Sequence, residues 1–250
     1  GKPGLKIIAC GDDKNVLETV KEFENKKLYG FKKNNDYRIE NIGYGKKSIT
    51  YSIGGDDIRI KVLGDHNILN SAASYVVAEH FNVVDEKLNT SLETFYGVKR
   101  RLELKYDNGI KIYDDYAHHP AEVKASLDAV KKTNPVRMIT VFQPHLYSRT
   151  RDFHKEFAGA FSGTDILILA KIYPAREKEI RGVSSEMILK EYRNNVTGHR
   201  KDSGGANGIS KEKNETGKYI ENNDKILDEL EKIIIEGDVI IFQGAGDITD

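Results

Sequence analysis

The chain reads as α/β, a mainly parallel sheet with helices on both faces, and three observations predict it. From residue 110 onward, short apolar runs alternate with segments of helical periodicity. Each run ends in a polar cluster, as parallel strands do at the edge where open α/β sheets bind ligands. Pro120 follows the first of these runs across the polar segment 114–119 and starts a helical stripe, giving a strand, a turn and a helix in succession.

Taken in order, residues 5–10 are strand-like, and Cys10 suits a small buried position within them. Between residues 26 and 61, short alternating runs at 37–39, 48–53 and 58–62 are divided by Gly and Asn and read as strands. Ile68, Leu69, Ala72, Ala73, Val76 and Val77 recur at three- and four-residue steps and predict a helix. Residues 95–101 then turn basic and the pattern changes character, which places a domain boundary near Gly97. Beyond it come a strand at 110–113, a helix from Pro120 with Val123, Leu127 and Val130 on one stripe, and a strand at 138–142. A helix after Ser148 is expected to bury Phe153, Phe157 and Phe161; a strand at 166–169, a helix at 184–192, a helix at about 225–235 and a strand at 239–242 complete the series. Residues 194–223, rich in Gly, Asn, Lys and Ser, read as a loop or insertion. His199, Arg200 and Lys201 within them suit a solvated charged surface better than a basic patch.

Composition narrows the function classes. With 250 residues and 38% hydrophobic content, the chain can bury one large core or two modest ones. Its 39 basic and 39 acidic residues cancel, so no global field draws it to nucleic acid or to an anionic membrane, and an anionic ligand must be held locally. A single cysteine excludes an intrachain disulfide framework and cysteine-rich zinc sites, and suits a reducing cytoplasm. No apolar run approaches membrane-spanning length. The abrupt start, with residues 1–4 leading straight into a strand, suggests a fragment of a longer protein.

The strand ends carry the candidate chemistry. Asp114-Asp115-Tyr116-Ala117-His118-His119-Pro120 places carboxylates and imidazoles at the mouth of a helix, where carboxylates can accept ribose hydroxyls and histidine can donate to phosphate. Two aspartates capping a turn with one packed histidine would account for the same pattern. Arg149 and Arg151 begin a helix, where a cation opposes the helix dipole, so the placement favours a clamp on a carboxylate. Surface ion pairs remain the alternative, above all for Arg151, and Arg176 with Glu177 suits an ordinary ion pair equally well. His66, Asn67 and Asn70 sit at another helix start, and asparagine offers the donor and acceptor that an adenine edge requires. Helix capping explains Asn67 without a ligand, though less readily Asn70. Gly244-Ala245-Gly246 lacks the longer glycine pattern of a dinucleotide site, and that reading is rejected.

Taken together and in this order, GDHNILN (64–70), GVKRRLE (97–103), DDYAHHP (114–120), FQPHLYSRT (142–150), IYPARE (172–177) with GVSS (182–185), and QGAGDI (243–248) resemble the Mur ligase family of peptidoglycan precursor synthesis. The closest likeness is to members that add L-alanine. CGDD (10–13) is similar to an Asp-Asp segment of the family's central domain. The resemblance implies residues 1–98 as the latter part of a central ATP-binding domain and residues 99–250 as a Rossmann-like C-terminal, amino-acid-binding domain. It implies ATP as cofactor, with magnesium whose ligands lie outside this chain, and UDP-N-acetylmuramate and L-alanine as substrates. No GxxGKT-like phosphate loop is present in the sequence, so the fragment alone is expected to be inactive.

Residue by residue, the resemblance implies that His66, Asn67 and Asn70 face adenine, that Arg101 approaches the nucleotide and that Asp115 holds the ribose. His118 would approach the phosphates; Tyr116, His145 and Arg149 would face alanine and its carboxylate, with His118 and Arg149 catalytic. Leu146 departs from members that carry Arg there and leaves more weight on Arg149. The implied reaction activates the muramate carboxylate as an acyl phosphate, which the alanine amine attacks in competition with water. Domain closure about residues 97–101 would exclude that water. Two other readings stay open: a recycling ligase that joins a preformed tripeptide to the same sugar, and a non-catalytic nucleotide-binding module.

Overall fold

A computed structural model describes residues 6–83, 86–202 and 217–248, the side chains of 197–202 excepted. The chain divides into two compact units, Gly1–Gly97 and Val98–Asp250. In the first, β1 (Ile7–Cys10), β2 (Lys26–Gly30) and β3 (Tyr37–Arg38) form a parallel sheet, with α1 (Lys14–Val20) between β1 and β2. Then β4 (Glu40–Tyr44), β5 (Ile49–Ile53) and β6 (Asp56–Ile60) form an antiparallel sheet, followed by α2 (Asp65–His80) and α3 (Glu86–Thr94). The alternation of β5 and β6 buries Ile49, Tyr51, Ile53, Ile58 and Ile60, each fully buried aliphatic side chain contributing about 1.5–3 kcal/mol. From α2, Ser71 meets Tyr51 in a hydroxyl pair at 2.8 Å inside this core.

The Asp-Asp segment after β1 proves to be a local clamp. The Asp12 carboxylate accepts from the N–H groups of Phe31 (2.6 Å) and Lys32 (3.1 Å) and from Asn35 Nδ2 (3.1 Å). Burial pushes Asp12 up, but those bonds together hold it below the usual carboxylate range. Gly30 has φ +152°, and a Cβ there would sit 2.6–2.7 Å from that carboxylate, so glycine is required. Asp13 caps α1 through Asn15 N (2.7 Å) and Val16 N (3.1 Å).

The second unit is built on one six-stranded sheet. Its strands are β7 (Glu103–Asn108), β8 (Ile110–Asp115), β9 (Arg137–Phe142), β10 (Ile166–Ala170), β11 (Gly217–Ile220) and β12 (Asp238–Gln243), in the order β11-β10-β9-β12-β8-β7. All neighbours are parallel except β7 with β8. The helices are α4 (Pro120–Lys131), α5 (Tyr147–Ala160), α6 (Glu186–Asp202) and α7 (Asp224–Ile233). Crossovers from β8 to β9, β10 and β11 step one way along the sheet and the return to β12 steps back, so right-handed connections put α7 on the face opposite α4, α5 and α6. Side chains agree: Phe142 packs on Phe157 and Phe161, while Ile139, Val141 and Ile240 share a cluster with Ile226 and Leu230 of α7. The reversal of strand order places β12 between β8 and β9, and the carboxyl ends of these three strands adjoin.

Several expectations are corrected. α6 continues to Asp202, and β11 also falls within the span expected to be a loop, with α7 starting directly after that span. Residues 203–216, the side chains of His199, Arg200 and Lys201, and residues 1–4 lie outside the described residues. Phe153 is half-buried where full burial was expected. α5 breaks its helical geometry there (φ −121°, ψ 15°), and the ring meets His119 edge-on at 5.2 Å.

Candidate functional site in the second unit

At the end of β8, successive side chains go to opposite faces of the sheet, which separates the two aspartates. Asp114 lies 3.5 Å from Arg100 Nε, and burial pushes its carboxyl above the usual range despite that guanidinium. Arg100 Nη2 also donates to the carbonyls of Gly244 (3.0 Å) and Gly246 (3.1 Å), tying the β7 entrance to the turn after β12. Asp115 is 3% exposed and is held twice, by Leu102 N–H (3.3 Å) and by Gln243 Nε2 (3.1 Å), one bond to each oxygen. Gln243 itself is fully buried at the end of β12, in register with Asp115. Beside it, Gln143 donates from Nε2 to Asp247 at 2.8 Å. The strand ends therefore carry a fixed polar floor of Asp115, Gln143 and Gln243 with acceptor capacity to spare.

The turn from β8 into α4 is locked by a reciprocal cap. His119 is the N-cap and accepts from Ala121 N–H at Nδ1 (3.3 Å), while Glu122 reaches back to the N–H groups of His118 (3.1 Å) and His119 (3.3 Å). Burial raises the Glu122 carboxyl, and the two N–H bonds with the charge of His118 bring it below its ordinary value. Pro120 supplies the fixed φ of the first helical residue. Tyr116, 37% exposed, lies under the Arg100 guanidinium at 5.1 Å and the Arg101 guanidinium at 6.0 Å. Its ring meets His118 edge-on at 5.3 Å.

Across the crevice, β9 runs into Gln143-Pro144-His145, and the backbone of Leu146 takes φ 73° to enter α5. Leu146 N–H donates to Tyr173 carbonyl (3.0 Å) and Tyr173 N–H to Pro144 carbonyl (2.8 Å), so this corner is pinned to the loop after β10. His145 stacks on Tyr173 at 5.8 Å and faces His118 at the same distance. Arg149 Nη1 lies 3.4 Å from His145 Nδ1 and 3.5 Å from the His118 carbonyl. Burial, then the Arg149 and His118 charges, hold His145 below its ordinary value, so its ring is neutral at neutral pH. Tyr116, His118, His145 and Arg149 are thus brought together.

α5 has no side-chain cap of its own, and Glu177 substitutes for one from 29 residues away. Its carboxylate accepts from Ser148 N–H (2.9 Å) and Ser148 Oγ–H (2.5 Å). The Ser148 hydroxyl first, and then its N–H, hold Glu177 below the ordinary 4.5. A depressed carboxylate stabilises the fold above its unfolded pKa, and that contribution is lost as pH falls through the folded value. Glu177→Gln is therefore expected to melt at lower temperature near neutral pH, with the gap to the parent chain closing below about pH 4.5. Thermal melts followed by circular dichroism at several pH values check this, and a gap that ignores pH would contradict it.

The remaining candidates stand elsewhere. In the first unit, Gly64 rather than Asn67 is the N-cap of α2. Asn67 Nδ2 donates to the Leu63 carbonyl (2.7 Å), and Asn70 Nδ2 lies 3.4 Å from Asn67 Oδ1. His66 on the first turn of α2 and Asn70 on the second are exposed. In the second unit, Arg151 pairs with Asp152 at 2.7 Å on the surface, the bland reading of that residue, while Glu177 turns to Ser148. A cavity of about 640 Å³ opens on the face that α7 covers, between Arg100, Asp114, Ile226 and Phe242. None of Tyr116, His118, His145 or Arg149 lines it. Among the described residues, no group of three His, Cys, Asp or Glu side chains could hold a metal ion. No helix among them is long and apolar enough to cross a membrane.

Sequence reasoning passed over Arg100, Glu122, Gln143 and Gln243, and read Glu177 only as a partner for Arg176. A signal existed for one pair: Gln143 and Gln243 both stand directly after an apolar strand.

Residues 100–246, more than half of the chain, match the Mur ligase, glutamate ligase domain. The UDP-N-acetylmuramate–L-alanine ligase of Cytophaga hutchinsonii is 41% identical over 220 residues, taking in 85% of this chain and 42% of that protein. Its namesake from Acetivibrio thermocellus is 36% identical over 251 residues, 97% of this chain and 50% of that one. The chain spans about half the length of the curated relatives it matches. In fold it is similar to the solved UDP-N-acetylmuramate–alanine ligase of Thermotoga maritima, with a TM-score of 0.71 at 22% identity over 97% of this chain and 49% of that one. On the domain match and the sheet that carries it, the chain belongs to the Mur ligase family.

Proposed function

We propose that this chain is part of an ATP-dependent ligase that joins L-alanine to the carboxyl group of UDP-N-acetylmuramate through an acyl phosphate. The observation that carries the reading is Arg149, a guanidinium held in the first turn of a helix, against the dipole, beside a neutral imidazole and at the mouth of the crevice. Such a group suits a substrate carboxylate, which it can grip with two parallel N–H bonds. Tyr116 and His145 flank the same carboxylate. Leu146 brings no second cation, so Arg149 is the amino-acid clamp.

The second unit is the amino-acid-binding domain, and the first unit is the latter part of the ATP-binding domain. Asp115, with each oxygen fixed by one donor, keeps an acceptor position for a ribose hydroxyl. His66, Asn67 and Asn70 serve adenine from the α2 start, Arg101 serves the nucleotide, and His118 stands at the phosphate end. Among the described residues no group of three ligating side chains could hold magnesium, and its ligands are assigned to the portion of the protein outside this chain. Transfer of the terminal phosphoryl of ATP to the muramate carboxylate makes the carbonyl carbon electrophilic. The alanine nitrogen bonds to that carbon, and phosphate leaves with the electron pair of the broken C–O bond. The chain's own groups orient the amine and stabilise the charge that develops.

A chimera tests the reading: this chain joined to the portion of the Cytophaga hutchinsonii relative that it does not match. Phosphate release from ATP is expected with UDP-N-acetylmuramate and L-alanine together and with neither alone. Release with a preformed tripeptide and none with L-alanine would transfer the assignment to a recycling ligase. Nucleotide binding without release in either case would leave a non-catalytic module.

A further inference from the structure

Two histidines in the crevice are held in opposite proton arrangements. His118 Nδ1 lies 2.8 Å from the Tyr116 carbonyl, which can only accept, so Nδ1 carries the hydrogen and the neutral ring keeps its lone pair on Nε2. His145 Nδ1 lies 3.4 Å from Arg149 Nη1, which can only donate, so there Nδ1 is the acceptor and Nε2 carries the hydrogen. The rings stand 5.8 Å apart, edge to face, on opposite walls of one crevice. His118 Nε2 has no hydrogen-bond partner among the described residues, and its side chain is 23% exposed. On the other side of the ring, Glu122 Oε2 is 3.5 Å from Nδ1, and the same carboxylate fixes the His118 backbone.

From this arrangement we infer that His118 is the proton acceptor for the attacking amine, while His145 offers a proton to the amino-acid carboxylate gripped by Arg149. The inference rests on the ligase reading above and assigns the proton within it. As the alanine nitrogen bonds to the acyl carbon it becomes cationic, and one of its protons passes to His118 Nε2. The C–O bond to phosphate then breaks, with the electron pair leaving on phosphate. The imidazolium so formed is balanced by Glu122 and donates from Nε2 to a departing phosphate oxygen. One residue thereby serves first the amine and then the phosphate, and Glu122 is a positioning residue acting through it.

Imidazole ¹⁵N NMR of this 250-residue chain reads the assignment directly, because an unprotonated ring nitrogen resonates far downfield of a protonated one. Signals are assigned by their loss in His118→Gln and His145→Gln, with the other histidine signals reporting that each variant stays folded. At pH above the imidazole titrations, His118 is expected to show an unprotonated Nε2 and His145 a protonated one. Titrating L-alanine is expected to shift His118 Nε2, His145 Nε2 and the Arg149 guanidinium signals, whereas propionate, which lacks the amine, is expected to shift Arg149 and His145 Nε2 and to leave His118 Nε2 unmoved. A protonated Nε2 on neutral His118 overturns the inference. So does a response of Arg149 to both ligands with no response of His118 Nε2 to L-alanine. Silence towards both ligands, with the ring protons placed as described, overturns the amino-acid-binding reading and the proton role built on it.

Discussion

Asp238→Ala is expected to lower the stability of the second unit by about 3–5 kcal/mol, the cost of leaving one member of a buried ion pair unmatched. Asp238 is fully buried at the first position of β12 and meets Arg137, at the first position of β9, through two parallel bonds of 2.9 and 2.6 Å. The Asp238 carboxylate first, against some loss of hydration, holds the Arg137 guanidinium above its ordinary value. Around that pair the chain is wound tight: Arg137 Nη2 also donates to the Ile233 carbonyl (2.5 Å) and Ile235 N–H donates to Asp238 (2.9 Å). Removing the carboxylate frees Arg137, the end of α7 and the entry to β12 together. For a unit of this size the loss corresponds to roughly 6–20 °C in melting temperature. Circular dichroism is the suitable probe, since the chain has no tryptophan. Because the cost is that of a stranded charge, Arg137→Met combined with Asp238→Leu should recover most of it. A single variant within about 1 kcal/mol of the parent would show that water reaches the pair and that the lock is not the source of order.

This ion pair joins the amino ends of two strands whose carboxyl ends carry the site, and the two ends were unequally legible in the sequence. β9, β10 and β12 are central and covered on both faces, so they read as unbroken apolar runs. β7 is an exposed edge: Glu103, Lys105 and Asp107 alternate with Leu104 and Tyr106, but burial fails to sharpen the pattern, and the strand passes for a linker. α3 buries none of its residues and is equally faint. At the site, the clusters after each strand were visible because parallel topology guarantees that they share an edge. What lies between clusters was not. Gln243 reaches Asp115 because β12 inserts between β8 and β9, a fact of strand order rather than of spacing. Glu177 caps α5 from another loop, where sequence alone suggested a partnership with neighbouring Arg176. Of two adjacent arginines, Arg100 is the one tied to Asp114, Gly244 and Gly246, while Arg101 stands over the Tyr116 ring.

In the chimera, Arg149→Ala is expected to raise the KM for L-alanine about 100- to 1,000-fold, the equivalent of roughly 3–4 kcal/mol for a desolvated charge-assisted pair. Its effect on stability should run the other way. A cation in the first turn of α5 meets the positive end of the helix dipole, and it also lies beside His145, whose charged form it disfavours. Removing it relieves the opposition to the dipole and gives up only long contacts to the neutral His145 ring (3.4 Å) and the His118 carbonyl (3.5 Å), so the variant is expected to melt no lower than the parent. An arginine kept for packing would show the reverse, with stability lost and KM unmoved. Arg149→Lys separates charge from shape: lysine keeps the positive charge but loses the planar two-pronged donor set, so its KM should fall between the other two. Equal KM values for parent and Arg149→Ala would remove Arg149 from the amino-acid site. The strained placement of a guanidinium at a helix start would then need another cause.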